Sequence, residues 1–445
     1  MATSGASSAG PKRRSFRFYK WLTIIFLFCL GVINFADKTI IGFAAVPIMT
    51  DLGLSHEQFG MVGSAFFWLF SISALVVGRM SDRFSTKSLL TGMASIWAAV
   101  QFITVFIGSF GQLVATRVIL GMAEGPSYNL SIHHTAKWLP QSQRGLGFSL
   151  VTIGSALGPA LAAPVLIYVI YHAGWRDAFL MLGIVGLIWI AAWLWLAKDS
   201  PESIGLESPE GATASSDASQ RRSIAWRDLM PAIFSRDFVL VALHGFTSYW
   251  GLALLIVWVP SYLEEVRQIS HHQAMMYLGL PWLSGAIGSL VVCAFADRLF
   301  KKTQSSRISR VYIMGILGLV AQVLWYLFIG VPSTGVAITA LVLASAASSC
   351  GYPLGSAIVS DMVLPEHRGT MLGVLMFFST LAGLIAPAVS GHIIQSAATL
   401  SAGYYNAFIV LIGINVVTLV LFLIGVRPPK PGNMPQYVAK MQNRA

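Results

Sequence analysis

The chain has 445 residues, 56% hydrophobic and only 11% charged, with a formal net charge of +11. A soluble domain carries about 25% charged residues, so these charges are too few to cover a water-facing surface and much of the surface must face lipid. In a soluble protein the basic excess would suit nucleic acid. Here its placement along the chain assigns it to membrane topology, and no nucleic-acid partner is expected.

Residues 1–19 are small and polar, then basic (Lys12, Arg13, Arg14, Arg17), and read as a disordered cytoplasmic tail. Apolar runs of about 20 residues, enough to cross ~30 Å of hydrocarbon, then recur down the chain. They place spans at 20–46, 57–80, 87–108, 111–137, 144–171, 177–197, 237–263, 272–296, 308–330, 335–362, 369–395 and 403–426. No small-residue cleavage site closes the first run early, so it reads as an uncleaved span. The expected fold class is an all-α membrane protein of twelve helices in two six-helix bundles, 20–197 and 237–427. Between them 198–236 reads as a cytoplasmic linker with an amphipathic stretch at Ile224 to Phe234, and 428–445 as a cytoplasmic tail. Of the 29 Lys and Arg, only Arg176 and Arg267 fall in loops on one side. Lys38 and Arg117 lie inside spans, and all the others fall on the side of the termini. That asymmetry places both termini in the cytoplasm.

The halves read as repeats. Asp82-Arg83 follows the second span and Asp297-Arg298 the eighth; Arg144-Gly145 opens the fifth and Arg368-Gly369 the eleventh; Pro164 and Pro387 recur at similar distances beyond. Two like-oriented six-helix halves point to a transporter with its site at their interface. Cys29, Cys293 and Cys350 lie far apart in apolar runs and read as buried apolar side chains.

Ionisable groups within hydrocarbon are costly and as a rule face a cavity or a partner. Asp37 and Lys38 lie in span one, Arg117 and Glu124 in span four; the C-terminal half has no Asp, Glu, Lys or Arg at such depth. Arg117 and Glu124 stand two helical turns apart, ~10 Å along one face, and Pro126 should distort the helix beside Glu124. A desolvated carboxylate that shares an Arg is suited to take up and release a proton as the Arg changes partner. Glu124 and Asp37, with Arg117, are therefore the candidate proton-coupling set. Lys38 and Arg117 are candidate cations for an anionic substrate. Among mid-depth aromatics, Trp68, Phe70 and Tyr249 are candidate pocket walls. Gly78, Asp82, Arg83 and Lys87, with the second copy Asp297 and Arg298, read as a conformational latch at the cytoplasmic face, the glycine allowing close helix approach. His133 and His134 lack a third ligand, so no metal is expected. No Gly-Lys dipeptide, hence no Walker A loop, and no HExxH is present. Neither enzymatic activity nor a cofactor is expected.

These residues resemble the major facilitator superfamily and, within it, the anion:cation symporter family of sugar-acid, phthalate and tartrate transporters and sialin. The resemblance covers nearly the whole chain. The superfamily loop GxxxDRxGRK is matched by Gly78, Asp82, Arg83 and Lys87, departing at Ser85 and Thr86. Asn34-Phe-Ala-Asp37-Lys38 is similar to the family's Asn-Tyr-x-Asp-Arg. Arg117-Val-Ile-Leu-Gly121-Met-Ala-Glu124-Gly-Pro126 is similar to its Arg-x-x-x-Gly-x-x-Glu. Trp138, Arg144-Gly145 and Gly174-Trp175-Arg176 also fit. The resemblance implies that Asp37 and Glu124 carry protons and that the cation after Asp37 contacts a substrate carboxylate. Taken with the charge reading, the expectation is proton-coupled uptake of an organic carboxylate by a monomer, in the cytoplasmic (inner) membrane if the cell is bacterial. Lys38 stands where the family carries Arg, Phe70 where sugar-acid members often carry Tyr, and Ser155 and Thr380 where they carry Gln and Asn. Ser155 and Thr380 join the candidate substrate residues, and these departures favour a smaller or more apolar carboxylate. Span five (Gly145, Gly154, Gly158, Pro159) approximates a drug:proton antiporter pattern, so an efflux antiporter is the alternative; a non-transporting sensor is the third.

Overall fold

The computed structural model describes residues 9–81, 83–140, 143–206, 226–363 and 368–428. Asp82 of the expected latch, His367 of the repeat and much of the linker lie outside the described residues. The N-terminal half comprises α1 (Ala9–Phe43), α2 (Ala45–Leu52), α3 (His56–Ala65), α4 (Phe70–Met80), α5 (Thr86–Thr104), α6 (Phe110–Glu124), α7 (Ser127–Trp138), α8 (Arg144–His172) and α9 (Trp175–Leu196). The short α10 (Trp226–Ile233) occupies the expected amphipathic stretch. The C-terminal half comprises α11 (Arg236–Val257), α12 (Val259–Glu265), α13 (His271–Tyr277), α14 (Leu280–Thr303), α15 (Tyr312–Gly330), α16 (Thr334–Ser348), α17 (Gly351–Asp361), α18 (Arg368–Ser396) and α19 (Leu400–Gly425). Among the described residues the first helix runs from Ala9, inside the stretch expected to be a disordered tail; Gly10 and Pro11 fall in its first turn, where proline is tolerated, and nothing from Lys12 to Lys20 breaks it.

Each half makes six passes. Passes one, two and four (α1/α2, α3/α4, α6/α7) are broken into two helices, and so are their repeat counterparts seven, eight and ten (α11/α12, α13/α14, α16/α17). Among the described residues ten passes are long and apolar enough to cross a membrane. The two that fall short are α5, which carries Lys87 and Gln101, and α6/α7, which carries Arg117, Glu124, His133, His134 and Lys137. Polarity concentrates in these two passes of the N-terminal half.

Both described chain ends lie on one face, here the terminal face. On the opposite face one apolar core runs through both halves, from Ile40, Ile48 and Phe59 to Trp258, Phe328 and Phe408. Toward the terminal face the core divides: one cluster is almost wholly N-terminal (Phe26, Leu90, Trp97, Trp193) and the other C-terminal (Leu229, Phe238, Met314, Leu354). The halves are thus packed together on the opposite face and apart on the terminal one. The histidine–carboxylate contacts that join the halves among the described residues follow suit, His56 with Glu265 at 3.1 Å and Glu57 with His392 at 3.4 Å. Tyr404 donates to Glu265 (2.6 Å) and Tyr171 donates to Glu264 (2.6 Å) at the same face.

Candidate functional site

Asp37 and Lys38 are consecutive on α1, so their side chains leave the helix about 100° apart. That angle sends them into different surroundings. Asp37 faces α5 and α9, where it lines a small cavity with Trp97, Gln101 and Trp189. Lys38 turns toward α4 and α6. Its Nζ donates to Asn34 Oδ1 (3.0 Å) and lies 3.6 Å from Glu124 Oε2. Three rings surround it, with centroids at 4.5 Å (Phe35), 5.0 Å (Phe70) and 5.7 Å (Phe66). An ammonium over aromatic faces is stabilised by their quadrupoles while water is kept out.

Glu124 is the last residue of α6. The helix breaks at Gly125–Pro126 before α7, as the proline foretold. Neither Glu124 oxygen accepts a hydrogen bond among the described residues, and Arg117 Nε and Nη1 likewise find no acceptor. Arg117 is buried with its guanidinium 5.1 Å from the Phe66 ring. Asp37, Lys38, Arg117 and Glu124 all lie within electrostatic reach of one another. Two acids and two bases balance in charge, yet their hydrogen-bonding capacity is largely unspent. Buried polar groups are as a rule hydrogen-bonded, so this cluster is distinguished by how few direct partners its members find among the described residues.

The C-terminal half closes the site with neutral groups. Tyr249 meets Phe67 edge-on at 5.7 Å between centroids and lies within electrostatic reach of Glu124 and of Tyr352. Tyr352 in turn lies near Tyr128 of the N-terminal half. Tyr352 was not singled out from the sequence, although Gly351-Tyr352-Pro353 sits at the helix break that answers Gly125-Pro126-Ser127-Tyr128 in the first repeat. Asn34 enters the sequence reading only as part of the α1 motif and Gln101 not at all, because a lone amide in an apolar run carries no charge signal.

The other expected residues fall in several places. Phe70 lies beside Lys38. Thr380 is buried and hydrogen-bonds Ser71 across the halves at 2.6 Å. Ser155 packs against Gly31 of α1, and Trp68 is half-exposed. Around the expected latch the described residues make other contacts. Among the described residues nothing lies within 4 Å of a Cβ built at Gly78, and Arg83, Asp297 and Arg298 are exposed. Lys87 instead donates within its own half to Leu194 O (3.0 Å) and Ala197 O (2.7 Å), the free carbonyls at the end of α9. The acid that answers it is Asp199, just beyond α9, which accepts from Ser85 (2.8 Å), Thr86 (3.1 Å), the Lys87 amide (2.9 Å) and Lys137 (3.0 Å). Burial pushes the Asp199 carboxyl up, but the Lys87 amide, Ser85 and Lys137 together hold it below the usual carboxylate range. In the other half Asp361 pairs with Arg310 and accepts from Ser306. Each half is therefore clasped to itself at the terminal face. The glycines of span five also find their role in packing: a Cβ at Gly154 would lie 2.3 Å from Phe28 O, and one at Gly158 2.7 Å from Val32 O, both on α1.

The Major Facilitator Superfamily profile matches residues 27–309 and 304–440. Among similar proteins, a probable sulfoacetate transporter of Cupriavidus necator is 30% identical over 374 residues, covering 82% of this chain and 84% of that protein. A hexuronate transporter of Bacillus subtilis is 28% identical over 400 residues, 86% and 90% of the two chains. A probable galactarate/D-glucarate transporter of Escherichia coli is 25% identical over 437 residues, 94% and 95%. Of solved structures, a bacterial homologue of the lysosomal transporter Spinster superposes with a TM-score of 0.77 at 16% identity, covering 92% of this chain and 97% of that one. A D-xylose–proton symporter does so with a TM-score of 0.75 at 16% identity, covering 94% and 100%. The twelve-pass two-bundle architecture, the profile match across nearly the whole chain and the anion-transporting relatives agree: this chain belongs to the major facilitator superfamily and is a multi-pass membrane transporter, not an enzyme.

Proposed function

We propose that the chain imports a small organic anion, a carboxylate or sulfonate, together with protons, as a monomer in the inner membrane with both termini in the cytoplasm. The observation that carries this reading is the Lys38–Glu124 pair. At 3.6 Å, in a water-poor aromatic setting, the carboxylate occupies the cation that an anionic substrate would need. Protonating Glu124 removes its charge and frees Lys38, so anion and proton enter the site together. After the halves rock, release of the proton restores the pair and expels the anion. Leaving either ion of a buried pair alone costs several kcal/mol, which makes the two bindings interdependent. The Lys and Arg asymmetry supports cytoplasmic termini, and an opening on the terminal face then corresponds to an inward-open state. The relatives' sulfoacetate and sugar acids are all anions. The apolar collar of Phe35, Phe66 and Phe70 favours a small or partly apolar member of that class.

The efflux reading loses support on two counts. A desolvated ammonium repels cationic drugs, and the span-five glycines are accounted for by packing against α1. The test is uptake of radiolabelled sulfoacetate, galacturonate and benzoate into proteoliposomes. One of these anions should accumulate when the outside is acid relative to the lumen. Glu124→Gln should abolish gradient-driven accumulation while retaining exchange of internal for external anion. Accumulation of equal extent without the gradient would sink the symport mechanism.

A further inference from the structure

The cavity beside Asp37 lies wholly within the N-terminal half, between α1, α5 and α9, away from the interface of the halves. Three polar side chains line it, and each is nearly inaccessible: Asp37 (1% exposed), Gln101 (1%) and Trp97 (3%). Each also has an unused hydrogen-bonding atom, namely Asp37 Oδ1, both Gln101 amide atoms and Trp97 Nε1. Leu30, Leu182 and Trp189 supply the apolar remainder, and the Trp189 N–H is already spent on Phe26 O at 3.0 Å. The Gln101 amide lies within interaction range of the Asp37 carboxylate, and its N and O meet the distance and angle of a direct hydrogen bond with no partner among the described residues. An unmet buried polar atom costs about 1–3 kcal/mol, so four in one cavity call for an occupant.

We infer that this cavity is a binding site for one buried water, held by Asp37, Gln101 and Trp97. Its volume of about 10 Å³ is close to the space one water needs. The open groups comprise two acceptors (Asp37 Oδ1, Gln101 Oε1) and two donors (Gln101 Nε2, Trp97 Nε1), which is the complement of a water that donates twice and accepts twice. A bare cation in the same space would meet two N–H groups as well as two oxygens, a donor set no metal prefers. Gln101 and Trp97 thereby become positioning residues. They hold the water that gives Asp37 a hydrogen-bonded route for its proton, on the side of α1 away from the Lys38–Glu124 pair. Lys38, Arg117 and Glu124 are the charged groups that face Asp37 from α1 and α6. The water's use in proton transfer rests on the symport reading; its presence in the cavity does not.

Acid-minus-neutral infrared difference spectra of the purified full-length chain test its presence without any transport substrate. The unaltered chain should show a carboxyl C=O band that Asp37→Asn removes. With it should come a water O–H band that moves when the solvent is enriched in oxygen-18. Trp97→Phe and Gln101→Leu should each remove the water band, leave a carboxyl band and keep cooperative melting. Should Gln101→Leu fail to fold, Trp97→Phe, which keeps most of the ring volume, decides alone. Absence of any isotope-sensitive band in the unaltered chain, or its survival in Trp97→Phe, would overturn the assignment. So would a rise in melting temperature on replacing choline with sodium that Gln101→Leu abolishes, because the occupant would then be a cation.

Discussion

Lys38 and Glu124 were legible as charges out of place in an apolar run; their pairing was not. Seen in sequence, Lys38 stands beside Asp37, and only the 100° step of the helix and the position of α6 give it Glu124 instead. Lys38→Met should leave Glu124 buried without its cation and destabilise the protein by about 3–5 kcal/mol. Adding Glu124→Gln should restore most of that stability and none of the gradient-driven uptake. Thermal melts and proteoliposome uptake of the two variants separate a coupling pair from a merely structural one, for which stability and transport would recover together. Asp199 belongs to the same scale and went unnoticed because an Asp in a polar linker is unremarkable by composition. Its carboxylate accepts four hydrogen bonds among the described residues, so Asp199→Asn should cost about 2–3 kcal/mol at neutral pH. The folded state holds its proton affinity below the unfolded value. The stabilisation is therefore complete above pH ~4 and is lost as pH falls below it. The melting-temperature difference between parent and Asp199→Asn should narrow in that acid range; a difference that widened there would remove the carboxylate's role.

At the scale of helices, hydrophobic periodicity and run length located the passes well, because hydrocarbon thickness sets their length. The breaks inside passes were less visible. Pro126 announced the break between α6 and α7, but Phe66 to Leu69, between α3 and α4, contains neither Pro nor Gly. Tertiary packing sets that break: Phe66 and Phe70 flank it and both face Lys38. Besides the approach of α8 to α1, a close helix crossing that no motif announced lies where α18 meets α3. A Cβ at Gly391 would lie 2.6 Å from His56 O and 3.0 Å from the Trp258 ring. Gly391→Val should therefore penalise this state by overpacking, roughly 1–3 kcal/mol, and leave a state with the opposite face open unaffected. A cysteine placed at the buried Val62 of α3, in a background lacking the native cysteines, reports the shift. Its maleimide labelling should quicken by about tenfold in Gly391→Val, the rate equivalent of ~1.4 kcal/mol. Unchanged labelling would mean that α3 and α18 do not part.

For the whole molecule, the repeats Asp82-Arg83/Asp297-Arg298 and Arg144/Arg368 foretold two halves of like design, and the structure extends that likeness to which passes are broken. The chemical inequality of the halves was also legible, since the buried Asp, Glu, Lys and Arg side chains among the described residues all fall in the first. Which face is open was not, because the same residues serve every state and differ only in what they touch. Here the contacts decide it: the shared core and the His56–Glu265 and Glu57–His392 pairs hold the opposite face shut, while Asp199 and Asp361 clasp each half separately at the terminal face. If transport proceeds by rocking, the closed face must open once per cycle. Joining Glu57→Cys to His392→Cys, whose parent side chains meet at 3.4 Å, with a short bifunctional thiol reagent should capture this state. The reagent should also stop uptake, and a reducible form of it should let uptake resume on reduction. Each single cysteine treated alike should transport normally. Full uptake by the joined protein would show that the substrate crosses without parting the halves at this face, and a rocking cycle would have to be abandoned.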